Sequence, residues 1–396
     1  MKTYNFDELI VREGSGSLKW DKHVAKGDKS LLPLWVADMD FACCDKIQEA
    51  LHAVVDQQIY GYSMGLDDTY RASVCGWFER RMQWTIDPKT IFYAPGVVPA
   101  ISYLLAILSE EGDGIVVQTP VYYPFMAKIK AGKRVVVENP LQYRDGRYRM
   151  DFEHLESCLA RADVKGMILC SPHNPVGRVW TAEELTRVIE IAKRYGKWII
   201  SDEIHCDIVR KDQRHIPIHT LTEEYQDEII VCTAPSKSFN LAGLQVSNII
   251  ITKPHYQRLW KQYVMNTLSI TSPNIFALAA TKAAYTQGEA WLDQMNAYVS
   301  ENIRFAQDYL RVHLPYAIVA PCEGTYLMWV DLRAYCPDCH KLEELMLEES
   351  IVLDEGYIFG SKGEGFERIN VAAPRSIVAE CLQRMCSILK KQKIGD

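Results

Sequence analysis

Gly166-Met-Ile-Leu-Cys-Ser-Pro-His-Asn-Pro-Val-Gly177 and, further along, Trp198-Ile-Ile-Ser-Asp202 are short apolar runs that each end in polar residues. Between them, Thr181-Ala-Glu-Glu184 has the capping-box pattern that begins an amphipathic helix, which continues to about Tyr195. Strands that are apolar on both faces and joined by a helix are typical of a parallel sheet covered by helices. This stretch therefore predicts α/β architecture.

The same alternation of apolar runs and helical patterns extends from about residue 90 to residue 285. Further runs lie at Gly114–Gln118, Arg134–Val137, Glu228–Cys232 and Asn248–Ile251. No Gly/Ser-rich linker or repeat separates them. We therefore predict one large domain over residues 46–285.

From Glu289 onwards the pattern becomes that of an α+β domain. Helices are predicted at about Glu289–Val312 and Ser376–Lys390, with strand-like segments between them at Thr325–Val330, Ile351–Leu353 and Ile369–Ala372. Together with the N-terminal residues 1–45, residues 286–396 are predicted to form a smaller α+β domain.

Composition and charge restrict the class of protein. The 396 residues are 48% hydrophobic and 24% charged, which is ordinary for a globular enzyme. The net charge of −7 argues against a nucleic-acid-binding protein. No apolar run reaches the length of about eighteen residues that a membrane span needs, and Asp7 and Glu8 lie where a signal peptide would be apolar. These features predict a cytoplasmic protein without nucleic-acid or membrane partners.

The twelve cysteines are predicted to be free, because several lie inside apolar runs and disulfides are rare in a reducing compartment. Cys336-Pro-Asp-Cys339-His340 matches a haem-attachment pattern and half of a zinc site. Haem attachment of this kind needs export, and no second Cys-x-x-Cys pair completes a set of four zinc ligands. We interpret this stretch as a turn with two free thiols and predict no metal.

Three motifs that follow apolar runs supply the groups that pyridoxal 5′-phosphate (PLP) requires. Lys237, in Ala234-Pro-Ser-Lys-Ser-Phe239, is the predicted Schiff-base lysine and, once displaced by substrate, a general base beside Cα. Asp202 would keep the pyridine nitrogen protonated, and the Asn174 amide would donate to the phenolic oxygen. Taken singly, these are also typical of a surface lysine, a helix N-cap and a turn asparagine. Their combination favours PLP.

The cofactor phosphate is predicted to bind at the start of a helix. Ala94-Pro-Gly-Val-Val-Pro-Ala100 leads into an apolar helix predicted at Ala100–Leu108 and offers the N–H groups of Val97 and Val98 to an anion. Ser236 is a candidate hydroxyl donor beside the lysine. His205 is a candidate second donor to the phenolic oxygen, or alternatively a buried core histidine.

Two aromatic and two basic residues are candidates for contact with the ring and the substrate. In Thr119-Pro-Val-Tyr-Tyr-Pro-Phe125, one of Tyr122 and Tyr123 is predicted to stack on the pyridine ring and the other to act as an acid near the substrate, although both could fill a core. Arg368 is the candidate bidentate ligand for an α-carboxylate, with Arg375 as a second candidate.

These residues resemble the fold-type-I, aspartate-aminotransferase-like PLP enzymes over nearly the whole chain. More narrowly, the chain is similar to the MalY/PatB group of cystathionine β-lyases, relatives of cystalysin. The motifs that carry this narrower resemblance are Leu32-Pro-Leu-Trp-Val-Ala-Asp-Met-Asp-Phe41, Tyr60-Gly-Tyr62, 170–180, 201–207 and 236–245. The resemblance implies a mostly parallel seven-stranded sheet and a smaller α+β domain.

The resemblance also implies roles for matching positions. Lys237 would hold the cofactor, Asp202 its ring nitrogen and Asn174 its phenolic oxygen, while the ring would stack on Tyr122 and the substrate carboxylate would bind Arg368. The resemblance further implies that Tyr62 of each chain reaches the phosphate site of the neighbouring subunit. An obligate homodimer with active sites at the interface follows from that role.

One departure bears on the reaction. Aminotransferases of this class usually place an arginine eight positions after the lysine, where it binds phosphate, whereas this chain has Gln245, as in the lyase subgroup. We therefore expect a carbon–sulfur β-lyase that converts cystathionine or a related cysteine S-conjugate to a thiol, pyruvate and ammonia. An aminotransferase on the same scaffold is the alternative. A second is a regulatory protein that, as the resemblance to MalY-type lyases allows, also restrains a transcription activator by direct contact.

Overall fold

The computed structural model describes residues 2–25, 27 and 29–392. The strands in that part of the chain are β1 Leu32–Pro33, β2 Ile91–Ala94, β3 Gly114–Val117, β4 Val135–Glu138, β5 Gln142–Arg144, β6 Arg147–Arg149, β7 Val164–Cys170, β8 Trp198–Asp202, β9 Ile229–Thr233, β10 Ser247–Ile251, β11 Ile318–Val319, β12 Leu327–Asp331, β13 Ile351–Val352, β14 Asp354–Glu355 and β15 Phe366–Asn370. The α-helices are α1 Leu18–Asp21, α2 Asp45–Asp56, α3 Asp68–Met82, α4 Val97–Leu108, α5 Pro124–Ala131, α6 Phe152–Leu159, α7 Ala182–Tyr195, α8 Pro235–Ser238, α9 Pro254–Trp260, α10 Ile275–Gln287, α11 Glu289–His313, α12 Cys339–Glu348 and α13 Arg375–Leu389.

A seven-stranded sheet forms the centre of the molecule, with the strands in the order β2, β10, β9, β8, β7, β3, β4. Neighbouring strands pair in parallel except at β10, which runs antiparallel to both β2 and β9. Helix α7 begins with the predicted capping box, in which Thr181 and Glu184 bond to each other's backbone N–H groups. The mostly parallel, helix-covered sheet confirms the predicted α/β fold.

Strand β2 is one that the sequence analysis does not predict. Its four residues lead through Pro95 and Gly96 directly into α4, which begins at Val97 rather than at the predicted Ala100. Because the apolar run continues from strand to helix, periodicity cannot separate the two elements.

The last strand of the smaller sheet lies N-terminal to its predicted position. The prediction was Ile369–Ala372, whereas β15 covers Phe366–Asn370 in a four-stranded sheet of order β11, β12, β15, β14. Glu367 and Arg368 interrupt the apolar pattern, and charged residues are seldom buried. Both nevertheless lie buried in this strand, which is why the pattern misplaces it.

The N-terminal segment joins the C-terminal part of the chain through β1. Leu32 and Pro33 pair in parallel with Ile351 and Val352 of β13. The division into a small domain of residues 1–45 and 286–396 and a large domain of residues 46–285 stays a prediction.

The carboxyl ends of β7 and β8 lie side by side, with Cys170 opposite Asp202. At the other end of the pair, a Cβ added at Gly166 would lie 2.2 Å from the Trp198 ring, so the glycine permits the two strands to pack. Ligands of open α/β sheets bind beyond the carboxyl ends of the strands. The polar residues that follow β7 and β8 are therefore placed for binding.

Within the described ranges, no helix is long and apolar enough to cross a bilayer, and no group of three or more His, Cys, Asp or Glu side chains is arranged to hold a metal ion. All twelve cysteines fall within those ranges and are free thiols. Cys336 is buried, and Cys339 begins helix α12 behind the N-cap residue Asp338. The stretch predicted as a turn is therefore partly helical.

Candidate active site

A cavity of about 200 Å³ lies at the carboxyl ends of the sheet strands. Its lining includes eight of the predicted site residues: Val97, Val98, Tyr122, Asn174, Asp202, His205, Ser236 and Lys237. The lining also includes Gln245, eight positions after Lys237. Residues from segments far apart in the sequence therefore meet at one place, as the motifs predict.

Lys237 lies on the single-turn helix α8, just after β9. Its Nζ donates a 2.6 Å hydrogen bond to the backbone carbonyl of Ala37. Burial and, second, the guanidinium of Arg368 lower the pKa of this amine to about 8. A lysine with such a pKa is partly unprotonated near neutral pH and can act as a nucleophile or base.

Asp202 is the last residue of β8 and is buried. Its Oδ1 accepts a 3.1 Å hydrogen bond from the N–H of Ile204. Burial raises the pKa of Asp202 to about 7, against the opposing effects of that N–H group and the Lys237 charge. A cationic ring nitrogen would supply the strong partner that this carboxyl group needs in order to ionise.

The start of helix α4 can hold an anion. Gly96 is its N-cap, with φ of 148°, a conformation that L-residues rarely adopt. The N–H groups of Val97 and Val98 follow in the first turn, where they lack partners within the helix. Together with the Ser236 hydroxyl, they form a site that fits the PLP phosphate.

Asn174 and Arg368 are linked beside the cavity. Arg368 Nη1 donates to Asn174 Oδ1 at 3.0 Å, which leaves the Asn174 amide nitrogen to donate to a ligand oxygen. Arg368 also donates to the carbonyl of Trp35 at 2.8 Å and forms an ion pair with Asp354. The second candidate, Arg375, instead donates to Asn302 and packs over Phe305. Neither arginine is among the residues that line the cavity, but Arg368 bonds the lining residue Asn174.

Tyr122 and His205 come from two separate segments of the sequence, and both line the cavity. Burial raises the pKa of the Tyr122 phenol and lowers the pKa of His205 well below the usual range. The histidine is therefore neutral, and its Nδ1 has no hydrogen-bond partner in the part of the chain that the structure describes. An unpaired buried polar atom is costly, so a ligand oxygen fits this position.

Like Arg368, Tyr123 and Tyr62 are predicted site residues that lie outside the cavity lining. Tyr123 is 36% exposed beside Tyr122, with its ring against Phe359 at 5.9 Å between centroids. Partial burial raises the pKa of its phenol, so Tyr123 stays protonated at neutral pH. Tyr62 is fully exposed and is not among the residues that line this chain's cavity.

The segment Trp35–Asp40, called the strap below, contributes Ala37 to the wall of the cavity. Side chains hold its carbonyl groups one by one: Asn370 donates to Val36 and Asp38 at 2.7 and 2.6 Å, and Tyr326 donates to Ala37 at 2.9 Å. Backbone carbonyls carry no signal in side-chain chemistry, so residue patterns alone could not reveal this role.

A charged cluster fixes the far end of the strap. Lys19, which is 0% exposed, pairs with Asp40 at 2.7 Å, and Arg12 pairs with both Asp38 and Asp40 at 2.8 and 2.6 Å. Trp20 Nε1 donates to Asp40 at 2.9 Å. The N-terminal residues therefore brace the segment that contacts Lys237.

Residues 30–384 match the family described as aminotransferase class I and II. The chain is 38% identical to cystathionine β-lyase PatB of Bacillus subtilis, over 97% of this chain and 100% of that protein. It is 34% identical to protein MalY of Escherichia coli, over 94% and 95% of the two chains. Cystalysin from Treponema denticola, whose crystal structure contains pyridoxal 5′-phosphate, superposes with a TM-score of 0.93 at 36% identity, over 98% of this chain and 99% of that one.

Proposed function

The chain belongs to the aminotransferase class I and II family, and we propose that it is a PLP-dependent carbon–sulfur β-lyase acting on L-cystathionine or a related cysteine S-conjugate. The products would be a thiol, pyruvate and ammonia. The observation that carries this proposal is the full-length similarity to PatB, named a cystathionine β-lyase. The cavity that contains Lys237, Asp202 and Asn174 supports it.

When bound, PLP supplies an aldehyde that reacts with amines and a ring that accepts electrons from Cα. The Lys237 amine would attach the cofactor and, when the substrate amine replaces it, remain beside Cα. Its pKa of about 8 lets it accept the Cα proton near neutral pH. It can then deliver that proton to the departing sulfur.

The other residues of the cavity would hold the cofactor in place. Asp202 would keep a proton at the ring nitrogen, and the Asn174 amide nitrogen would donate to the phenolic oxygen. Neutral His205, whose Nδ1 is unpaired among the described residues, offers a further bond beside them. The N–H groups at the start of α4 would bind the phosphate.

Substrate orientation would depend on the buried Arg368, whose guanidinium would bind the substrate carboxylate through an N–H group, such as Nε–H, that has no partner among the described residues. Tyr123 would lie near the Cβ substituent and offers a second proton for the sulfur, since its raised pKa keeps it protonated. Excluding water from this site strengthens both interactions.

The proposal is tested by the products formed from L-cystathionine when no keto acid is present. A β-lyase releases pyruvate and homocysteine over many turnovers under these conditions. An aminotransferase would stop after a single turnover and resume only when a keto acid is added. The second outcome would replace the lyase by the aminotransferase alternative.

We also propose that the enzyme is a homodimer in which Tyr62 reaches the phosphate site of the partner subunit. The segment that contains it exposes several large apolar side chains, namely Ile59, Tyr60, Tyr62 and Met64. Several exposed large apolar side chains within one short segment are typical of a subunit interface. This arrangement would place two active sites at the dimer interface.

A cytoplasmic location is part of the proposal. All twelve cysteines are free, and Cys43 and Cys44, although adjacent in sequence, are both reduced thiols. Reduced cysteines in this number are typical of a protein in a reducing compartment.

A further inference from the structure

A buried ion pair joins β14 to β15 beside the cavity. Asp354 and Arg368 lie opposite each other in the register of the two strands, and Arg368 Nη2 donates to Asp354 Oδ2. Their side chains are only 6% and 2% exposed. The arginine proposed to bind the substrate carboxylate therefore already has a carboxylate partner within the chain.

The remaining donors of Arg368 leave room for a second anion. A guanidinium has five N–H groups, and Asn174, Trp35 and Asp354 accept from three of them among the described residues. The Nε–H has no partner there, and one N–H of Nη1 is also free. These two N–H groups lie on opposite edges of the guanidinium, so a substrate carboxylate can bind one of them and would then share the buried guanidinium with Asp354.

We propose that Asp354 orients Arg368 and, through its negative charge, weakens the binding of the substrate carboxylate. Two carboxylates on one guanidinium repel each other, and the repulsion is strong where water is excluded. The product pyruvate also carries a carboxylate, so weaker binding would favour its release. The identity of substrate and product in this inference rests on the proposed function.

Glu355 provides a matched control because it is a carboxyl group one position along the strand. Burial raises its pKa to about 7, so the comparison is made at about pH 9, where it is charged. It lies opposite Glu367 in the register. Successive side chains of a strand point to opposite faces, so Glu355 lies on the face of β14 away from Arg368. Removing the charge of Glu355 therefore tests whether the affinity for a carboxylate depends on where the negative charge lies or only on the net charge.

The affinity for propionate, a carboxylate without an amino group, tests the proposal without requiring turnover. Its Kd would be measured for the PLP-loaded wild type and for Asp354→Asn, which keeps an oxygen to accept from Nη2 but has no charge. We expect the Kd to fall at least about five-fold. Asp354→Ser, a second neutral variant, is expected to shift the Kd in the same direction, and Glu355→Gln is expected to leave it unchanged.

An unchanged or higher Kd in the folded neutral variants would overturn the proposal, as would an equal decrease in Glu355→Gln. If Asp354→Asn does not fold, the result for Asp354→Ser decides. The KM for L-cystathionine should fall in parallel with the propionate Kd. If no protein in the series, including the wild type, releases pyruvate, the proposed function is wrong, while the propionate affinities still decide the role of Asp354.

Discussion

Lys237 donates a 2.6 Å hydrogen bond to the carbonyl oxygen of Ala37, a residue 200 positions earlier in the chain. A backbone carbonyl is a neutral partner, so this bond does not offset the cost of burying a charged amine. The effect of burial on the amine is therefore not offset by this bond, and the pKa of Lys237 is lowered to about 8. The strap that contains Ala37 thus forms part of the candidate active site.

The lowered pKa predicts how cofactor uptake depends on pH. Only the unprotonated amine can attack the cofactor aldehyde, so the rate at which the cofactor-free protein takes up PLP should rise with pH through an inflection near pH 8. Stopped-flow absorbance measures this rate. An inflection near the ordinary lysine pKa of about 10.4 would show that the pKa of Lys237 is not lowered in the folded protein.

Replacing Arg368 by methionine should shift the same inflection to higher pH. The Arg368 guanidinium destabilises the protonated lysine and lowers its pKa, so its removal makes the ammonium form more stable. We expect a shift of about half a pH unit or more. Arg375→Met is the control: this arginine is held by Asn302, and its loss should leave the inflection in place.

Lys19→Met should destabilise the protein and disturb the strap. The variant removes a buried partner of Asp40, and breaking a buried ion pair from one side costs about 3 kcal/mol of unfolding free energy. Denaturant unfolding measures the loss. Lys22, three positions later, is exposed with its Nζ over the Trp35 ring. Lys22→Met should therefore cost less than about 1 kcal/mol, and equal losses in the two variants would contradict the proposed brace.

Mixing two inactive variants tests the shared active site. If Tyr62 acts on the partner's site, a dimer of one Lys237→Ala chain and one Tyr62→Ala chain contains one site with both residues intact. An equimolar refolded mixture should regain about a quarter of wild-type activity by random pairing, although each variant alone is weakly active or inactive. No recovery in a mixture shown to contain hybrid dimers would place Tyr62 outside the partner's site.

The sequence predicts the α/β sheet and the cavity residues that follow its strands. Lys237, Asp202 and Asn174 each come directly after an apolar run, and the carboxyl ends of parallel strands meet at one edge of a sheet. Short apolar runs bounded by polar residues therefore carry enough information to place these three groups together.

Other parts of the site could not be predicted from residue patterns. Ala37 contributes a backbone carbonyl, which no side chain reveals. Asp354 is recognisable as a partner of Arg368 only once the register of β14 and β15 is known. Two buried charges in the short strand β15 also break the apolar pattern on which strand prediction depends, which explains why that strand was misplaced.

The most direct test of this account is to locate the lysine that holds the cofactor. The PLP-loaded protein would be reduced with borohydride, digested and analysed by mass spectrometry. We predict a phosphopyridoxyl group on the peptide that contains Ser236-Lys237-Ser238, and on no other lysine in stoichiometric amount. Stoichiometric modification of a different lysine, with Lys237 unmodified, would contradict the assignment of this cavity as the active site.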